Sequence, residues 1–127
     1  MSKPLILVAE DERDIRDLIV FTLQINGYNV VDVPNGEEAV EKAKEIIPDL
    51  ILMDVRMPKM TGYEACEALK KQKETEDIPV IFLSAKGQEV EISTGMDKGA
   101  EAYLLKPFAP DNLSKQVNEI LTKYGKL

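Results

Sequence analysis

Five side chains able to handle a charged ligand each follow a short hydrophobic run. Glu10 and Asp11 follow Leu5–Ala9, Asp54 follows Leu50–Met53, Ser84 follows Val80–Leu83, and Lys106 follows Tyr103–Leu105. If these runs are parallel strands of one sheet, their carboxyl ends share an edge and the five groups share a site. Two unit charges about 4 Å apart repel by about 4 kcal/mol at an effective dielectric of about 20. Three clustered carboxylates therefore call for a counter-charge, or at least one must hold its proton. A hard divalent cation answers that need. Mg2+ takes oxygen ligands, keeps several waters and bridges to phosphate. Asp54 stands alone after the most apolar run. A carboxylate so placed can attack phosphorus and form an acyl phosphate. Lys106 and the cation would then neutralise the phosphoryl oxygens while Ser84 donates a hydrogen bond. Each group also has a plainer reading by itself. Asp11 could cap a helix, Lys106 could be a surface lysine with a buried stem, and Ser84 could bond the local backbone. Their joint placement at strand ends is what favours a site.

The elements that must position these groups alternate along the chain. Leu5–Ala9 reads as a buried strand, followed by Ile15, Leu18, Ile19 and Leu23 at helical spacing, with Gly27 as a stop. Tyr28–Val33 is a second strand. Asn35 and Glu38 open a helix that ends before Pro48. Leu50–Met53 is the third strand, and Thr61 with Glu64 caps a helix through Leu69. Ile78–Leu83 is the fourth strand, with Pro79 tolerable at its start, and Ala102–Leu105 is the fifth. The last helix carries Leu113, Val117, Ile120, Leu121 and Tyr124. Gly87–Gly99 reads as a fourth helix of weak pattern, a candidate for movement. Strands alternating with helices give an α/β, three-layer (βα)5 sandwich around a parallel sheet. Right-handed crossovers leave few topologies, among them the flavodoxin-like order 2-1-3-4-5.

The 127 residues suit one domain spanning 1–127. A net charge of −7 argues against nucleic acid or an anionic membrane as direct partner. Histidine is absent, so a phosphohistidine carrier is excluded. The single cysteine, Cys66, excludes an internal disulfide and suits a reducing compartment. With no signal-peptide core and no run of bilayer length, a cytoplasmic location is expected.

The segments LILVAEDE, DLILMDVRMPKMTG, IPVIFLSAK and AYLLKPF resemble those of response-regulator receiver domains, in order and spacing, over nearly the whole chain. The resemblance implies that Asp54 is the phosphoacceptor. It implies that Glu10, Asp11, Asp54 and the main-chain carbonyl of Arg56 hold Mg2+, with Asp11 the more direct acidic ligand. It implies that Ser84 and Lys106 bind the phosphoryl group and that Lys106–Pro107 is a cis peptide. It further implies a switch. Ser84 moves toward the phosphoryl group, Tyr103 turns inward, and the face made by the fourth predicted helix, the fifth strand and the last helix changes shape. The implied donor is a sensor histidine kinase or a histidine phosphotransfer protein. The output is contact with a downstream effector, by a monomer or a weak phosphorylation-dependent dimer. Arg56 lies two residues after Asp54 and Lys86 two after Ser84. From position alone, their side chains could flank an attacking water and adjust the lifetime of the phosphorylated state, or be plain surface charges.

Other readings stay open at this point. A flavin-binding flavodoxin shares the fold, but Glu10-Asp11-Glu12 after the first strand would repel its phosphate. A haloacid-dehalogenase-type phosphatase needs a second aspartate where this chain has Arg56. A receiver-like module could also bind partners without being phosphorylated. On the favoured reading the chain is not a conventional enzyme and catalyses only its own phosphorylation and dephosphorylation. It would be either a stand-alone regulator or a domain of a larger one.

Overall fold

The computed structural model describes residues 3–85 and 99–127. Lys86 and the predicted fourth helix, Gly99 excepted, lie outside the described residues. The elements run β1 (Leu5–Ala9), α1 (Arg13–Ile25), β2 (Asn29–Val33), α2 (Gly36–Ile46), β3 (Leu50–Asp54), α3 (Gly62–Lys70), β4 (Val80–Ala85), β5 (Ala102–Lys106) and the C-terminal helix α4 (Pro110–Lys123). All strand pairs are parallel, in the order β2-β1-β3-β4-β5. This is the flavodoxin-like arrangement expected from the alternating pattern.

Strand side chains alternate between two apolar layers. Leu7, Ala9, Ile51, Met53, Val80 and Phe82 face α2 and α3, meeting Ala39, Ala43, Ala65, Cys66 and Leu69. Ile6, Val8, Leu50, Leu52, Ile81 and Leu83 face α1 and α4, meeting Ile19, Leu23, Leu113, Val117 and Leu121. Every residue of β3 is buried, as a central strand covered on both faces requires. Among the described residues no helix is long and apolar enough to cross a membrane.

Local signals explain two helix starts. Asn35 accepts the Glu38 amide at 2.9 Å and caps α2, and Thr61 forms a reciprocal capping box with Glu64. Several boundaries shift: β2 begins at Asn29 rather than Tyr28, and Asp54 and Lys106 end β3 and β5 rather than following them. Strand β4 begins at Val80 rather than Ile78, because Pro79 has no N–H for the ladder and the Ile78 amide closes a turn onto the Thr75 carbonyl at 3.1 Å. It also runs through Ala85, so Ser84 lies within the strand instead of after it. The residue that caps α1 is Glu12, not Asp11, and it caps without a side-chain hydrogen bond. Asp11 is thereby left on the loop between β1 and α1.

Candidate functional site

Strand register gathers the predicted groups. Ala9 pairs with Met53, Asp54 with Leu83, Ser84 with Leu105, and Ala85 with Lys106. The next residue of β1, the last of β3 and of β5, and the penultimate residue of β4 therefore meet at one sheet edge. Glu10, Asp11 and Asp54 each offer a carboxylate oxygen, and these oxygens lie within 4.8 Å of one another. Asp11 is exposed, whereas Glu10 is fully buried and Asp54 is 6 % exposed.

Lys106 links the two buried acids. Its Nζ donates to Glu10 Oε1 at 2.6 Å and lies 3.3 Å from Asp54 Oδ1. Glu10 Oε2 accepts the Glu12 amide at 3.2 Å. Burial still dominates. It pushes Glu10 up to about 7, against the Lys106 hydrogen bond and with help from the charge on Asp54. Burial likewise raises Asp54, against the opposing charge of Lys106. For Lys106 burial alone would lower the ammonium, but the Glu10 hydrogen bond and the Asp54 charge outweigh it and hold it above its ordinary value. One ammonium thus serves two buried carboxylates, with a third carboxylate beside them. Among the described residues this is an oxygen-only donor set carrying surplus negative charge, the chemistry a hard divalent cation fits.

The remaining predicted residues fall as follows. Ser84 is buried, 1 % exposed, next to the end of β4. Arg56 is exposed on the connection from β3 to α3. Tyr103 lies on the edge strand β5 and is 37 % exposed. The Lys106–Pro107 peptide is cis. Lys86 lies outside the described residues.

Two contributors carry no chemical signature in the sequence. Gly62 packs so closely behind the site that a Cβ there would sit 2.3 Å from the Asp54 carbonyl oxygen. Its amide donates to the Val55 carbonyl at 2.8 Å, folding the β3–α3 connection back onto the end of β3. A glycine after a capping threonine looks like any loop glycine until the backbones are placed. Arg16 reaches back from α1 and donates from Nη1 to the Glu10 main-chain carbonyl at 2.8 Å. The spacing of six residues from Glu10 fits one helical turn past the loop, but it does not by itself distinguish this arginine from a solvated one.

Comparison with known proteins agrees with this fold. The family model described as the response regulator receiver domain matches residues 6–118. The alkaline phosphatase synthesis transcriptional regulatory protein PhoP of Bacillus subtilis is 40% identical over 118 residues, 93% of this chain and 48% of that protein. The chain spans about half the length of the curated relatives it matches. The chemotaxis response regulator CheY4 of Vibrio cholerae superposes with a TM-score of 0.89 at 33% identity, covering 94% of this chain and 100% of that one. The receiver domain of the sensor histidine kinase PA1611 from Pseudomonas aeruginosa matches with a TM-score of 0.89 at 30% identity, over 95% of this chain and 99% of that one. That crystal structure has a magnesium ion coordinated in its active site cleft. The chain belongs to the response-regulator receiver domain family.

Proposed function

We propose that residues 1–127 form a receiver that takes a phosphoryl group on Asp54 from a phosphohistidine of a sensor histidine kinase or histidine phosphotransfer protein. The observation that carries this reading is the single ammonium of Lys106 shared between two buried carboxylates, Glu10 and Asp54, beside Asp11. A carboxylate oxygen of Asp54 would form the new bond to phosphorus as the bond to the donor imidazole nitrogen breaks, with the electron pair leaving on that nitrogen. Glu10, Asp11, Asp54 and the main-chain carbonyl of Arg56 would hold Mg2+, with Asp11 the more direct acidic ligand. When bound, Mg2+ supplies charge neutralisation for the carboxylates and the phosphoryl oxygens. Lys106 is held by its acidic partners within reach of a group on Asp54, and the buried Ser84 hydroxyl is the neighbouring donor.

Phosphorylation adds about −1.5 to −2 charges to the sheet edge. Ser84 and then Tyr103 would answer that charge, and the surface around β5 and α4 would change its contacts with a downstream effector or a second copy. The exposure of Tyr103 on β5 suits the outward start of such a movement. The Arg56 and Lys86 side chains would set the lifetime of the acyl phosphate. The protein would work in the cytoplasm, with no direct contact to nucleic acid or membrane, and catalyse only its own modification. Incubation with acetyl phosphate followed by intact-mass measurement tests the reading. A single phosphoryl adduct that requires Mg2+ is expected. A folded protein that takes no adduct from acetyl phosphate or from any kinase supports a module that binds partners without being phosphorylated.

A further inference from the structure

Every polar group of Glu10 is engaged by a different part of the fold. Its amide donates to the Val33 carbonyl of β2 at 3.2 Å, Oε1 accepts from Lys106 of β5, and Oε2 accepts the Glu12 amide. Its main-chain carbonyl accepts from Arg16 Nη1 at 2.8 Å. Strand β1 stops at Ala9, so this carbonyl lies past the strand and depends on the guanidinium. The same guanidinium reaches Asp32 on β2, with Nε 3.1 Å from Oδ2. Nε is buried and makes no directed hydrogen bond, so Asp32 holds it by charge. The Arg16 side chain is 17% exposed and that of Asp32 is 42% exposed.

We propose that Arg16 is a positioning residue for the cation site, locking the Glu10–Asp11 peptide plane by bridging the Glu10 carbonyl to Asp32. The carbonyl oxygen of Glu10 and the amide of Asp11 belong to one rigid peptide unit. Fixing the oxygen fixes where the Asp11 backbone starts, and hence the direction from which its carboxylate approaches the other two. Asp11 sits on a loop with no capping role, and its two flanking peptides are each anchored, the one before it by this carbonyl contact and the one after it by the Glu12 amide on Glu10 Oε2. Arginine suits the task because its planar fork addresses two acceptors at once, whereas a lysine has a single nitrogen. Asp32 completes the device by keeping the fork turned toward β2.

This inference rests on the acidic trio being the Mg2+ site. The test is calorimetric titration of MgCl2 into the full chain and its Arg16→Ala, Arg16→Lys and Asp32→Asn variants, with thermal midpoints recorded in EDTA. Groups that orient metal ligands typically alter affinity by 10- to 100-fold when lost, so Arg16→Ala is expected to weaken Mg2+ about tenfold. Arg16→Lys should fail to restore wild-type affinity, and Asp32→Asn should show a smaller loss in the same direction. A purely structural role would lower the midpoint in EDTA and leave the Mg2+ affinity alone. Unchanged affinity in folded Arg16→Ala overturns the inference. If that variant does not fold, unchanged affinity in Asp32→Asn overturns it instead. A wild-type chain that binds no Mg2+ contradicts the site reading itself, which separates the two failures.

Discussion

At the scale of single residues, the site is a balance between burial and one ammonium. Glu10 is held up at about 7 by burial, so in the metal-free protein the folded state binds its proton more tightly than the unfolded chain. The stabilising share of that proton is fully present below the unfolded pKa and is lost as pH rises through about 7. In EDTA, urea denaturation should therefore show stability falling across that window, and Glu10→Gln should flatten the fall. A slope unchanged in Glu10→Gln would assign the effect to other groups. Lys106→Met removes the partner of both acids. Breaking a buried pair costs up to about 3–5 kcal/mol while the stranded charges persist. The loss should be larger at pH 8 than at pH 5, where Glu10 takes up a proton, and equal losses at both pH values would contradict the shared-ammonium picture. These residues were legible in the sequence because each ends or follows an apolar run. Arg16 and Gly62 were not, since their roles depend on a main-chain carbonyl and a close backbone approach that residue type does not encode.

At the scale of elements, the short connections at the carboxyl edge of the sheet aim the chemistry. The connection from β3 to α3 is tied to the end of β3 by the Gly62 amide and by the capping box of Thr61 and Glu64. Gly62→Ala would place a methyl group 2.3 Å from the Asp54 carbonyl oxygen. The backbone must move, and overpacking of this kind typically costs about 1–3 kcal/mol. The expected result is a lower thermal midpoint together with slower adduct formation from acetyl phosphate. Thr61→Ala, which removes only the cap, should cost about 1 kcal/mol. Equal adduct rates in Gly62→Ala and Thr61→Ala at matched folded fractions would mean that the close packing behind Asp54 does not matter to the chemistry. The capping motifs at Asn35 and Thr61 were readable because hydrogen-bonding side chains precede their partners by three residues. The apolar run places the start of β4 at Ile78, whereas the Ile78 amide closes the preceding turn and Pro79, although its carbonyl accepts the Ile51 amide, has no N–H for the ladder. Ser84 belongs to the strand because β4 runs on through Ala85.

At the scale of the whole molecule, two apolar layers hold a parallel sheet whose carboxyl edge collects three carboxylates and, among the described residues, the ammonium of Lys106. A ligand that binds only the folded state stabilises it by mass action, by about 2.7 kcal/mol at a hundredfold excess over Kd. Mg2+ should therefore raise the thermal midpoint of the wild type, and raise it much less in Asp11→Asn. An equal rise in both would place the cation elsewhere. The order of the sheet followed from the alternation of apolar runs and helical stripes, which is a property of the whole chain and survives small errors at element ends. The measurement that bears most directly on the central claim is borohydride trapping after incubation with acetyl phosphate and Mg2+, followed by peptide mass spectrometry. Reduction of an aspartyl phosphate converts that residue to homoserine. Homoserine at position 54 in the wild type, and none in Asp54→Asn, is the predicted result; trapping at Asp11 or Glu10 in the wild type would contradict the assignment of Asp54 as the phosphoacceptor.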